Sequence, residues 1–134
     1  MSKSIGTRLA VTALLCVFAA MPASAQFPCN QLQAMFDQAA RRGSDLSKPH
    51  IWGFYFANPT RAPLDNAAAL LSIEGFQLVS LQLTQPDAWQ LHVERVEAHS
   101  ADSLHALNLA LEDFARKHGI EKLPTMDIGS APSQ

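Results

Sequence analysis

The stretch His50 to Phe56, HIWGFYF, constrains what this chain can fold into more than any other. It carries Trp52, Phe54, Tyr55 and Phe56 in close succession, with Ile51 and Gly53 between them. In an extended strand residues 52, 54 and 56 point to one side and residues 51, 53 and 55 to the other, so both faces are largely apolar. Such a strand belongs in the middle of a sheet, and the elements around it have to supply its cover.

The pattern on either side of that strand predicts those elements. Asn30 can cap a helix to about Arg42, with an apolar stripe of Leu32, Met35, Phe36, Ala39 and Ala40 and a stop at Gly43. The polar linker Ser44 to Pro49 follows, and its proline turns Lys48 toward extended geometry. Beyond the aromatic strand, Asn58-Pro59-Thr60 is a turn, and Leu64 to Glu74 is a helix rich in alanine and leucine, closed by Gly75. Phe76 to Leu83 alternates as a half-buried strand, Thr84 to Asp87 reverses the chain, and Trp89, Leu91 and Val93 alternate as its hairpin partner. Alternation slips at Arg95, which predicts a bulge between Glu94 and Val96. Ser100 caps a long helix carrying Leu104, Leu107, Leu111, Phe114 and His118 and ending before Gly119. Leu123 to Ile128 is a short edge strand, and Ser130 to Gln134 a loose tail.

From residue 50 the order is strand, helix, strand, strand, helix, strand. This is the split βαβ, or ferredoxin-like, arrangement of an α+β domain. Right-handed crossovers put the first and third strands in the middle of an antiparallel sheet with both helices on one face, preceded here by an N-terminal helix. The expected core is Trp52, Phe54, Phe56, Leu71, Leu81, Trp89, Leu91, Leu107, Leu111 and Phe114.

The first 25 residues read as a cleaved export signal rather than as part of the fold. Lys3 and Arg8 form a basic start, Leu9 to Ala20 is apolar but short of the ~20 residues that span a bilayer, and Ala23-Ser24-Ala25 suits cleavage before Gln26. The chain then divides into a signal peptide at 1–25, a helix and linker at 26–49, a ferredoxin-like domain at 50–129 and a tail at 130–134. Trimming leaves eight basic against 12 acidic residues, a formal charge of minus four. The basic residues are scattered, which disfavours nucleic-acid binding. With Cys16 removed, Cys29 would be a lone thiol near the start of the exported protein.

Chemical motifs are scarce. The six glycines never gather into a phosphate-binding loop, and no zinc-type histidine or cysteine pair occurs. His92 and His99 fall on opposite faces of a regular strand, so no metal or cofactor is expected. Ser100, Asp102, Ser103 and His105 are residue types used in catalysis, but helix capping explains the first three, and Asp102 and His105 are expected as neighbours on an exposed helix surface. No catalytic residue is assigned, and the chain reads as a non-enzyme. What remains is the sheet face away from the helices, where Gln90, His92 and Glu94, joined by Tyr55, are the candidate partner-binding residues.

These features resemble the regulators of ribonuclease E activity, type B. The resemblance rests on Gly43 to Pro49 leading into the aromatic strand, Glu74-Gly75-Phe76 at the helix-to-strand corner, and Trp89. It continues through Leu104 to His118 and Met126-Asp127-Ile128-Gly129. It implies a ferredoxin-like, non-catalytic module that inhibits ribonuclease E by protein contact and uses no cofactor. An exported member would instead meet a protein partner outside the cytoplasm; retained ribonuclease E inhibition, a structural role in the envelope and a small enzyme are the competing readings.

Overall fold

The computed structural model describes residues 27–129. The expected signal peptide and tail lie outside the described residues. Among the described residues three helices and four strands follow one another: α1 (Cys29–Arg41), β1 (His50–Asn58), α2 (Ala62–Ile73), β2 (Gln77–Gln85), β3 (Ala88–Glu97), α3 (Ala101–Lys117) and β4 (Thr125–Ile128). The strands form one antiparallel sheet in the order β2-β3-β1-β4, the ferredoxin-like arrangement, with the aromatic strand inside it.

β1 is central because the middle of its helix-facing side is apolar, between the buried polar ends His50 and Asn58. Trp52, Phe54 and Phe56 are fully buried and share one core cluster with Leu91 and Val93 of β3, Leu64 and Leu71 of α2, and Leu104, Leu107, Leu111 and Phe114 of α3. Each such side chain stabilises the fold by roughly 1.5–3 kcal/mol through burial alone. Aromatic rings fix the layering: Phe54 meets Phe76 edge-on at 5.9 Å, and Phe36 of α1 stacks on Trp52 at 6.3 Å. Leu81 and Trp89, expected in the core, pack against it only half-buried: Leu81 lies on the edge strand β2 and Trp89 near the end of β3.

Local chemistry sets the element ends. Gly75 follows α2 with φ at 93°, a left-handed conformation that closes the helix and turns the chain into β2. Ser100 accepts from the backbone N–H of Ser103 at 3.0 Å, and Ser103 accepts in return from that of Ser100 at 2.9 Å, a reciprocal cap for α3. In the linker, Asp45 accepts from the backbone N–H of Ser47 at 3.0 Å, Leu46 is buried, and its carbonyl accepts from His99 N–H at 3.3 Å. The Asp-Leu-Ser-Lys-Pro stretch is thus a turn clasped to the far end of β3.

Three expectations need correction. β3 has no bulge near Arg95: its pairing with β1 is unbroken from Trp89 to Glu97. Arg95 instead points toward the helices, lays its guanidinium 3.9 Å above the Phe76 ring and donates to Glu74 O at 2.9 Å, so a charged residue occupies an inward position. The irregularities lie in β2, between Leu78 and Ser80 and between Leu83 and Gln85. His105 is buried rather than exposed, on a side of α3 that also buries Asn108 and Glu112, and α1 packs against this helix. Cys29, expected as a lone thiol, is disulfide-bonded.

Leu107 lies on the face of α3 that covers the sheet, with almost no exposure. Leu107→Ala should therefore lower unfolding stability by roughly 2–5 kcal/mol in a denaturant titration. A loss under ~0.5 kcal/mol, typical of a surface site, would contradict this placement.

Candidate functional site

The open face of the sheet is built around a glycine. Gly53 of β1 lies between Glu94 of β3 and Asp127 of β4, and its neighbour two positions on, Tyr55, lies between His92 and Thr125. A β-carbon at position 53 would stand 2.5 Å from Asp127 Oδ1 and 3.0 Å from His92 Nε2. Only glycine leaves room for those two side chains to lean over the central strand.

Four polar side chains from three strands converge there. The Tyr55 and His92 rings stack 4.2 Å apart and 14° from parallel. The Tyr55 hydroxyl donates to Asp127 Oδ2 at 2.8 Å, and His92 Nε2 lies 3.5 Å from Glu94 Oε2. Burial, then the hydrogen bond and charge of Asp127, and then the charge of Glu94 push the Tyr55 phenol up to about 12. Tyr55 is therefore a firmly protonated donor whose proton is already committed to a carboxylate. The outward-facing chemistry is an aromatic platform flanked by Glu94 and Asp127, with Ile51 and the exposed Val96 paired at one end. Such a surface suits the polar and basic groups of another protein rather than proton transfer.

The sequence reading brought Tyr55, His92 and Glu94 to one face, and the structure joins them there. Gln90 lies on the same face, opposite Ala57 and Gln82, one pairing step beyond the Tyr55–His92 stack. Asp127 and Gly53 were missed. The signals available were a glycine inside an otherwise bulky strand and an aspartate at an outward position of the edge strand; neither reveals that the two meet.

A second polar cluster closes the other side of the sheet. Ser103 Oγ lies 2.8 Å from His99 Nδ1, His99 Nε2 lies 3.1 Å from Glu97 Oε1, and Arg95 pairs with Glu97. Burial opposes ionisation of Glu97, but His99 and Arg95 more than offset it and hold the carboxyl below the usual range. These residue types occur in hydrolytic triads, yet each is engaged in holding the fold. Ser103 is half of the helix cap, His99 is buried edge-on to Trp52 at 5.3 Å, and Trp52 donates to Glu97 O at 3.1 Å. The cluster fastens β3 to the start of α3. His92 and His99 lie on opposite faces, and among the described residues no group of three or more metal-ligating side chains is placed to hold an ion.

The model of the family Regulator of ribonuclease activity B matches residues 30–122, from the first turn of α1 to just past α3. The chain belongs to the regulator of ribonuclease activity B family. No curated protein matches it. The family match supports a regulatory role exercised through protein contact, in keeping with a site that offers surface groups rather than a reaction centre. Tyr55, His92 and Glu94 fall inside the matched segment and Asp127 beyond it.

With a single tyrosine in the chain, the phenol can be followed without interference. Its ultraviolet titration should centre near pH 12 in the folded protein, against about 10 for an ordinary phenol. Asp127→Asn should move the midpoint back part of the way, and Gly53→Ala should do the same by displacing the carboxylate. Because the folded value is raised, the stabilising contribution is complete below about pH 10 and is lost as pH rises through about 12. An unshifted midpoint in the folded protein would contradict the Tyr55–Asp127 bond.

Proposed function

We propose that this protein is a non-catalytic regulatory module that acts outside the cytoplasm by binding a protein partner other than ribonuclease E, through the open sheet face at Tyr55, Gln90, His92 and Glu94. The observation that carries the reading is the convergence of Tyr55, His92, Glu94 and Asp127 over Gly53: polar groups from three strands are turned outward on a rigid sheet. The family match supports action by contact with another protein. The export reading rests on the basic and apolar pattern of residues 1–25, and it sets the partner's compartment. Membership of this family also favours a second reading, in which the ribonuclease-directed role is kept and the protein acts in the cytoplasm.

Crosslinking in intact cells separates the two. The wild-type chain should capture envelope or periplasmic proteins and no ribonuclease E, and His92→Ala with Glu94→Leu should weaken that capture. The recovered protein should have the intact mass of a chain beginning at Gln26. Capture of ribonuclease E, or recovery with Met1 attached, would favour the cytoplasmic reading; undiminished capture by the double variant would remove the open face as the binding surface.

A further inference from the structure

The outer edge of the sheet at β2 has the composition of a pairing surface. β2 runs for nine residues, QLVSLQLTQ, without a charge, a proline or a glycine. Among the described residues it is the last strand on its side of the sheet, and Leu78, Val79 and Leu83 are 58%, 48% and 51% exposed. Sheet proteins ordinarily blunt such an edge with charge or proline, because its free backbone N–H and C=O groups are a template for another strand. The other edge, β4, is blunted: it has four residues, follows Pro124 and carries Asp127.

The sequence of β2 also indicates what covers it. Read antiparallel to itself about Leu81, the strand places Gln77 opposite Gln85, Leu78 opposite Thr84, Val79 opposite Leu83, Ser80 opposite Gln82 and Leu81 opposite Leu81. Amide meets amide, aliphatic meets aliphatic, and small polar meets polar along nearly the whole length. A two-fold contact requires this self-complementarity, since each residue must suit the copy of its own partner. The absence of charge on β2 lets two copies of a net-acidic chain approach there without repulsion. The two ladder irregularities fall on either side of the centre and leave Ser80 to Leu83 regular, which favours one short register.

We propose that β2 pairs with β2 of a second copy about a two-fold axis at Leu81, joining two sheets into one of eight strands. With β4 blunted at both outer ends, the assembly closes as a dimer rather than extending into a fibre. Even if the whole ~30 Å of β2 were covered, a strip ~15 Å wide would bury roughly 450 Å² on each copy, short of the ~1,200 Å² in total that stable complexes bury. The dimer is therefore weak and concentration-dependent.

Sedimentation equilibrium of the full chain from micromolar to millimolar protein tests this. The average mass should rise from the monomer toward twice that value. Val79→Lys and Leu83→Lys, at half-exposed positions, should each hold the protein at the monomer mass across the range, with the folded circular dichroism spectrum retained. Val96→Lys, equally exposed but on the open face of β3, should leave the rise unchanged. The register is read separately by a short thiol crosslinker: a mixture of Val79→Cys and Leu83→Cys chains should yield the mixed dimer in excess of either self-dimer. A monomer mass at every concentration, equal loss with Val96→Lys, or no excess of the mixed dimer would overturn the proposal.

Discussion

Both the core and the candidate site depend on the two faces of β1. On the helix side, Trp52, Phe54 and Phe56 fill the space under α2 and α3, and little but apolar bulk is tolerated there. On the other side, Gly53 must stay small so that Asp127 and His92 can close over the strand. These demands are opposite in size and alternate residue by residue, so the strand can be neither shifted in register nor made uniformly bulky. A slip of one position would turn Trp52, Phe54 and Phe56 outward and drive Ile51 and Tyr55 into the core. The register that packs the domain is therefore the register that assembles the open face.

Much of this was legible in the sequence because it is governed by short-range periodicity. The order of elements from residue 50, the apolar side of β1, the cap at Ser100 and the placement of His92 and Glu94 on the face opposite Leu91 and Val93 all follow from alternation and helical spacing. What was not legible depends on register between distant strands. Asp127 reaches Tyr55 across 72 positions of sequence, and nothing near either residue encodes the meeting. Arg95 misled for a different reason. A charge at an inward position reads as a break in the strand, whereas its stem and planar guanidinium cover Phe76 and leave the β3 ladder intact. His105 misled because the helix surface it shares with Asn108 and Glu112 looks polar in sequence but is buried in the fold.

The two polar clusters show why residue types alone are a poor guide to activity. Glu97, His99 and Ser103 lie within contact distance of one another, but the serine is held by the helix cap and the histidine is sealed against Trp52. Taking either side chain out of its contacts for chemistry would loosen the junction of β3 and α3. Tyr55, His92 and Glu94 are in the converse situation: none is needed to fill the core, and their polar atoms lie on the side of the sheet free of helices. Polar groups on the helix side hold this molecule together, whereas on the open face His92 Nε2 is covered, the Tyr55 hydroxyl is bonded to Asp127, and Glu94 is the more exposed group. That division agrees with membership of a family of regulators.

The geometry of a β2-paired dimer bears on how such a face would work. A two-fold axis between antiparallel neighbours stands perpendicular to the sheet, so the helices of both copies lie on one side and both open faces on the other. Between the two Tyr55–His92 platforms would run the rows of β3 and β2 that carry Gln90, Gln82 and Ser80, polar but uncharged side chains. A partner touching one platform would meet the second at a fixed distance, and the second contact would be intramolecular. Weak individual contacts at exposed polar groups, each worth little alone, would then add through geometry. Such a protein could regulate in that way, with its affinity set by how much of it is paired.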